Sequence, residues 1–116
     1  MRLKLCSKIW IESNGKVFGD GPCDLLRRVE RLGSLRQAAA EMQMSYAQAW
    51  RLVRMLEINL GTSLLERQIG GASGGGSALT EEGERFLHSF TLFRQEVDEQ
   101  LQVLFRKYFL HFIKQE

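Results

Sequence analysis

Ser34-Leu-Arg-Gln-Ala-Ala-Ala-Glu-Met-Gln-Met-Ser45-Tyr-Ala-Gln-Ala-Trp-Arg-Leu-Val-Arg-Met-Leu-Glu-Ile-Asn-Leu60 is the stretch that decides the fold. Two helix starts lie close together in it. Gln37 follows Ser34 by three residues, and Gln48 follows Ser45 by three. Each pair fits a capping box, in which the serine oxygen accepts a backbone N–H and the glutamine reaches back. The spacing predicts a helix of about two turns, a break around Met42 to Met44, and a longer second helix. That is a helix-turn-helix pattern, whose second helix can lie in the major groove of DNA. On this reading the partner is double-stranded DNA, and no catalytic chemistry is involved.

Working outward, the first of these helices buries Leu35, Ala38, Ala39 and Met42. Its small alanines allow close approach to the next helix. The second turns Ala49, Leu52, Val53, Leu56 and Leu60 to the core and presents Tyr46, Ala47, Gln48, Arg51 and Arg54 on the other face. Trp50 falls between the faces, as a buried anchor or as a DNA contact. Gly61 suits the helix end.

Upstream, residues 3 to 13 alternate loosely around Leu5, Ile9 and Ile11, and Asn14-Gly15 is a strong hairpin signal. Lys16-Val17-Phe18 is the expected return strand. Pro22 suits a first helical position, Leu25, Leu26, Val29 and Leu32 keep a helical period, and Gly33 ends that helix. Downstream, Leu64-Leu65-Glu66-Arg67 and Ala78-Leu79-Thr80 are short strand candidates flanking a glycine-rich tip from Gly70 to Ser77. Such a tip beside a helix-turn-helix reads as a wing, although its composition also suits a flexible linker. No Gly-Lys-Ser/Thr follows the glycines, which excludes a nucleotide-hydrolase phosphate loop.

Thr80 can cap a last helix, with Glu81, Glu82 and Glu84 at its positive end. That helix is expected to run to about Ile113. Phe86, Phe90, Phe93, Val97, Leu101, Leu104, Tyr108 and Phe112 recur along it at steps of three or four. A helix this long is hard to cover with so small a body. The stripe is therefore expected to form a homodimer interface, the alternative being that it packs wholly inside one subunit. The expected division is a DNA-binding domain over residues 1–80 and a dimerisation helix over residues 81–116.

Composition narrows the classes. The 116 residues carry a net charge of only +2, too little to argue for nucleic acid by itself. Its distribution says more. Between Arg27 and Arg67 seven arginines face four glutamates, whereas from Thr80 onward five basic residues meet seven acidic ones. Arginine offers a bidentate fork for phosphate or guanine. No signal peptide or membrane-length apolar run is visible, so a cytoplasmic protein without membrane contact is expected. Cys6 and Cys23 lack metal or redox spacing, and His88 and His111 stand far apart. No Ser-His-acid or Cys-His set suggests an enzyme, and no cofactor is expected.

The chain resembles the N-terminal winged helix-turn-helix domain of the molybdate-responsive (ModE) transcription regulators, itself related to the LysR-type headpiece. The likeness runs through Lys16-Val17-Phe18-Gly19-Asp20-Gly21-Pro22, Leu25-Leu26 and Gly33-Ser34-Leu35-Arg36-Gln37-Ala38-Ala39. It continues in Met44-Ser45-Tyr46, Ala49-Trp50 and Leu65-Glu66-Arg67. Its most specific part is the glycine run with Ala78-Leu79-Thr80, closing at Gly83. The resemblance implies a mainly α fold with small β elements that acts as a dimeric DNA-binding regulator. Full-length members continue into molybdate-binding β domains. Nothing here forms such a site, so molybdate sensing is not expected, and a stand-alone regulator is.

From helix position, Tyr46, Ala47, Gln48 and Arg51 are expected at base edges: Gln48 on adenine, Arg51 on guanine, Ala47 on a thymine methyl. Ser34, Gln37, Ser45, Arg54 and Arg67 are expected at phosphates, helped by the helix starts at Ser34 and Ser45. The wing backbone at Gly74, Gly75, Gly76 and Ser77 is expected at the flanking groove. A dimer would read an inverted repeat with half-sites about 34 Å apart. The rival classes are a winged-helix protein-interaction module and a co-regulator needing a partner chain.

Overall fold

The computed structural model describes residues 2–68 and 76–113. Strand β1 (Trp10–Glu12) pairs antiparallel with β2 (Lys16–Gly19). Three helices follow: α1 (Asp20–Leu32), α2 (Leu35–Glu41) and α3 (Tyr46–Leu60). A second antiparallel pair, β3 (Leu65–Gln68) and β4 (Gly76–Leu79), precedes the long α4 (Glu81–Ile113). This is a mainly helical winged helix-turn-helix in which β3 and β4 are the sides of the wing, in register from Leu65 opposite Leu79 to Gln68 opposite Gly76.

The first hairpin turns at Asn14 and Gly15, both at positive φ. Its strands are shorter than the alternation from residue 3 predicts. β2 gives way to α1 after Gly19, so residues upstream of Trp10 have no opposing strand. They keep the alternation all the same: Leu3, Leu5, Ser7 and Ile9 are half-buried and the residues between them exposed. Arg94 of α4 holds this segment, donating to the Ser7 carbonyl (2.8 Å) and hydroxyl (3.1 Å). The same guanidinium pairs with Asp20 at 3.0 Å in the first turn of α1. Helix α1 begins at Asp20, two residues before Pro22. Pro22 is thus third in the helix, where its missing N–H has no intrahelical partner in any case.

The helix ends follow the sequence closely. Gly33 and Gly61 close α1 and α3 in the left-handed conformation, their N–H groups on Val29 O (2.7 Å) and Glu57 O (2.8 Å). Thr80 caps α4: its Oγ1 accepts from the Gly83 amide at 2.9 Å and donates to the Ser63 carbonyl at 2.6 Å. At Gly83 a Cβ would stand 2.3 Å from the Leu64 carbonyl oxygen, so only glycine lets α4 start this close to β3.

One apolar cluster holds these pieces together. Leu25, Leu26 and Val29 of α1 meet Leu35, Ala38 and Ala39 of α2 and Ala49, Val53 and Leu56 of α3. The alanines are almost completely buried, and their size lets the helices approach closely. Phe18 from β2 is wholly buried and receives the rings of Phe86 and Phe90 edge-on, at 4.7 and 5.0 Å between centroids. Such pairs add to the burial free energy. The first turns of α4 therefore belong to the packed body, which continues past Thr80 to Phe90. At 33 residues α4 is about 50 Å long by its rise per residue. Past Phe90 it carries the N-terminal segment, with Leu5 and Ser7 beside Arg94, Asp98 and Leu101, and the longest dimension of the molecule is 58 Å.

Candidate nucleic-acid interface

Helix α3 buries Ala49, Val53 and Leu56 and turns Ala47, Gln48, Arg51 and Arg54 to solvent. Its first turn is held by a complete capping box. Ser45 Oγ accepts from the Gln48 amide at 3.0 Å, and Gln48 Oε1 accepts from the Ser45 amide at 2.9 Å. This bears on the expected reading of adenine by Gln48. A bidentate pair needs that side-chain oxygen to accept from the adenine amino group, and here the cap holds it. At α2 only half a box forms: Ser34 Oγ accepts from the Gln37 amide at 3.1 Å.

The arginines separate into two sets. Those on α1 are engaged. Arg28 bridges Asp24 (2.9 Å) and Glu41 (2.8 Å), Arg31 pairs with Glu41, and Arg27 donates to Thr91 Oγ1 at 3.2 Å. Arg36, Arg51 and Arg67 are exposed and have no ion pair among the described residues. Arg54 lies between these extremes, 3.9 Å from Glu57. On α1 the charges of Arg28 and Arg31 are thus offset by carboxylates and Arg27 is tied to Thr91, while the arginines around α2, α3 and the wing base stay open.

A groove of about 440 Å³ lies between α2, the start of α3 and the wing base. Ser34, Gln37, Tyr46, Arg67, Gly76 and Ser77 all line it, with Trp50 at its wall. Sequence-predicted residues from four separate elements meet here. Tyr46 and Trp50 are half-buried and pack against the core, which gives Trp50 an anchoring place. Arg36 also lines the groove, its Cζ 4.2 Å from the centroid of the Tyr46 ring. Ala47, Gln48, Arg51 and Arg54 lie on the outward face of α3 instead.

The wing base is tied down at two points. The Ser77 amide donates to the Gly33 carbonyl at 3.0 Å, so the Gly76–Ser77 end of β4 lies against the α1–α2 corner. Gly74 and Gly75 lie outside the described residues. At the other side, Glu57 Oε2 accepts from the amides of Leu64 (2.8 Å) and Leu65 (3.3 Å). Sequence reasoning missed Glu57. The signal was its place in the last turn of α3, where a negative charge is disfavoured unless something compensates it.

The dimerisation stripe divides in two. Phe90 is buried in the subunit's own core and Phe86 is half-buried against Phe18. Within the subunit, Phe90 is thus covered and Phe86 partly covered by packing against Phe18 of β2. Phe93, Leu104, Tyr108 and Phe112 remain exposed, and Val97 and Leu101 half-buried. Phe93, Val97 and Leu101 flank a shallow groove on α4. The stripe also omitted Leu92, Val103, Phe109 and Leu110, which are exposed as well. The apolar surface on outer α4 is wider than one stripe.

Cys6 is exposed and Cys23 buried. Burial pushes the Cys23 thiol up, with the nearby Arg27 acting in the opposite sense. Among the described residues no group of three or more His, Cys, Asp or Glu could hold a metal ion, and no helix is long and apolar enough to cross a membrane.

Comparison with known proteins falls on the same region. The family described as bacterial regulatory helix-turn-helix protein, lysR family, matches residues 23–84, from α1 to the first turn of α4. The transcriptional regulator ModE of Haemophilus influenzae is 35% identical over 80 residues, covering 69% of this chain and 31% of that protein. The DNA-binding transcriptional dual regulator ModE of Escherichia coli K12 is 32% identical over 90 residues, 77% of this chain and 34% of that protein. The molybdenum-pterin-binding protein MopB of Rhodobacter capsulatus is 32% identical over 80 residues, 69% of this chain and 30% of that protein. The chain spans about a third of the length of the curated relatives it matches.

Proposed function

The chain belongs to the lysR family of bacterial regulatory helix-turn-helix proteins, and we propose that it is a transcription regulator that reads double-stranded DNA as a homodimer. The observation that carries this reading is the outward face of α3, where Ala47 and Arg51, which has no ion pair among the described residues, stand exposed one turn apart. Arg51 is the reader of guanine in this proposal, and Ala47 meets a thymine methyl. Ser34, Gln37, Ser45, Arg54 and Arg67 hold phosphates and set register. Gln48 serves first as the cap that fixes the start of the reading helix. The wing, held to the α1–α2 corner at Ser77, follows the flanking backbone.

The homodimer rests on outer α4. Val103, Leu104, Tyr108, Phe109 and Phe112 are all exposed there, an apolar surface that calls for cover. Two copies joined along this helix place two α3 helices on one face. They would read an inverted repeat with centres about 34 Å apart. Such a regulator acts in the cytoplasm, where bacterial DNA lies. The molybdenum in the relatives' names is not carried over, because the likeness covers only about a third of their length.

Binding to the duplex upstream of the chain's own gene, against a shuffled duplex and across a salt series, tests the reading. Preference for the native duplex that persists as salt rises supports it. Equal, weak binding that vanishes with salt turns the assignment to a co-regulator or a protein-binding module. Within a specific complex, Arg51→Ala should lose discrimination at one base position. An equal loss on both duplexes would remove Arg51 from base reading.

A further inference from the structure

We propose that Arg36, laid on the ring of Tyr46 and sharing its groove with Arg67, forms a clamp for one phosphodiester group of the DNA backbone. This rests on the DNA-binding reading above and adds a contact to it. Arg36 is the residue that the helix-position reading left out. It also changes the part given to Tyr46, from a base contact to the platform that aims an arginine.

Four observations carry it. The Arg36 Cζ lies 4.2 Å from the centroid of the Tyr46 ring. A guanidinium engaged through its face keeps its in-plane N–H groups free at the edge, and that edge is the one that matches two phosphate oxygens. Second, Arg36 has no carboxylate partner among the described residues, while the three arginines of α1 are all engaged. Third, Tyr46 is half-buried and packed against the core, which fixes where the platform stands. Fourth, Arg67 reaches the same groove from β3 and Ser34 and Ser77 offer hydroxyls within it, with Glu66 the one carboxylate at its wall. Two arginines against one glutamate leave the groove positive.

The position selects phosphate over base. In a helix-turn-helix the first helix crosses the backbone while the second enters the groove. Arg36 is on the first of the two, and Tyr46 turns it toward the wing base rather than along the outward face of α3 that carries Arg51. A backbone contact holds register without reading sequence.

The test compares the unmodified protein with Arg36→Ala, Arg36→Lys, Tyr46→Leu and Arg31→Ala on the native and shuffled duplexes across a salt series, with thermal melts of each variant. Each phosphate contact contributes about −0.9 to the log–log slope, so Arg36→Ala should flatten the slope by about that amount on both duplexes. Equivalently, the affinity lost between about 50 and 200 mM salt should shrink about threefold. Arg36→Lys should keep the slope and bind more weakly, since the charge stays and the stacked fork is lost. Tyr46→Leu removes the ring while Arg36 keeps its charge, so it too should keep the slope and bind both duplexes more weakly. Arg31→Ala removes the same charge from a pair with Glu41 and should leave the slope unchanged.

A wild-type slope in Arg36→Ala overturns the clamp while leaving DNA binding intact. A loss confined to one base position overturns the choice of phosphate. If the unmodified protein binds neither duplex, the DNA-binding reading itself fails, and that outcome is visible before any variant is made.

Discussion

The amide of Ser77 donates to the carbonyl of Gly33 at 3.0 Å, which fastens strand β4 of the wing to the corner between α1 and α2. The contact exists because residue 76 is glycine. A Cβ there would stand 2.4 Å from the same Gly33 oxygen. The obstacle is backbone, which cannot swing aside as a flexible side chain can. Gly76→Ala should therefore cost about 1–3 kcal/mol, as overpacking does elsewhere. It should also weaken duplex binding by more than the melt alone explains, since β4 shifts against the groove. A melting curve and a binding isotherm on one preparation check both, and unchanged values for both would mean that the corner yields freely.

Glu57 is the second fastening. With its carboxylate on the amides of Leu64 and Leu65, Glu57→Ala leaves two N–H groups without their acceptor where the chain leaves α3 for β3. The expected cost is about 1–3 kcal/mol. Glu57→Gln keeps an oxygen acceptor and should lose less. Urea unfolding of the two variants gives the comparison. Equal midpoints for Glu57→Ala and the unmodified protein would show that water replaces the carboxylate at no cost.

Outer and inner α4 should respond oppositely to substitution. Phe90→Ala empties a core site against Phe18 and should cost about 3–5 kcal/mol. A double change, Leu104→Glu with Tyr108→Glu, places charges on exposed positions and should leave the body folded. If α4 joins two copies, sedimentation will shift that double variant from dimer to monomer. A dimer that survives both charges would place the interface elsewhere.

The two cysteines should label differently. Cys6 is exposed, while Cys23 is buried and its thiol is pushed up by that burial. Fewer Cys23 thiolates exist near neutral pH than for a free cysteine, and only the thiolate reacts. Iodoacetamide at neutral pH should modify Cys6 alone, with Cys23 reacting once the chain is unfolded in denaturant. Mass spectrometry of native and denatured samples decides it. Rapid native modification of Cys23 would show that α1 opens away from α4.

The local decisions were legible in the order of residues. Capping serines and glutamines, the glycines at helix ends, the hairpin at Asn14-Gly15 and the threonine before α4 all act within a few bonds of themselves. Apart from the bond from Thr80 to the Ser63 carbonyl, their hydrogen bonds depend on little beyond their neighbours. For the same reason the core faces of α2 and α3 followed from helical spacing alone. The charge run was legible as a sum but not as a pattern. That Arg28 and Arg31 close on Glu41 of another helix, while Arg36 and Arg67 stay open, depends on how α1 and α2 cross.

The sequence by itself determined the helix-turn-helix, its caps and a wing of two short strands, because each is written in contacts between near neighbours. Tertiary structure decided which part of the phenylalanine stripe belongs to the body. Phe86 and Phe90 are periodic with Phe93 and Leu104, and periodicity marks a face without naming what covers it. Phe18, far away in the chain, covers the first two and nothing in the described chain covers the outer apolar surface to the same degree. It likewise decided that Arg36 lies on Tyr46 in one groove with Arg67, since those residues come from α2, α3 and β3 and meet only when the helices and the wing root are packed.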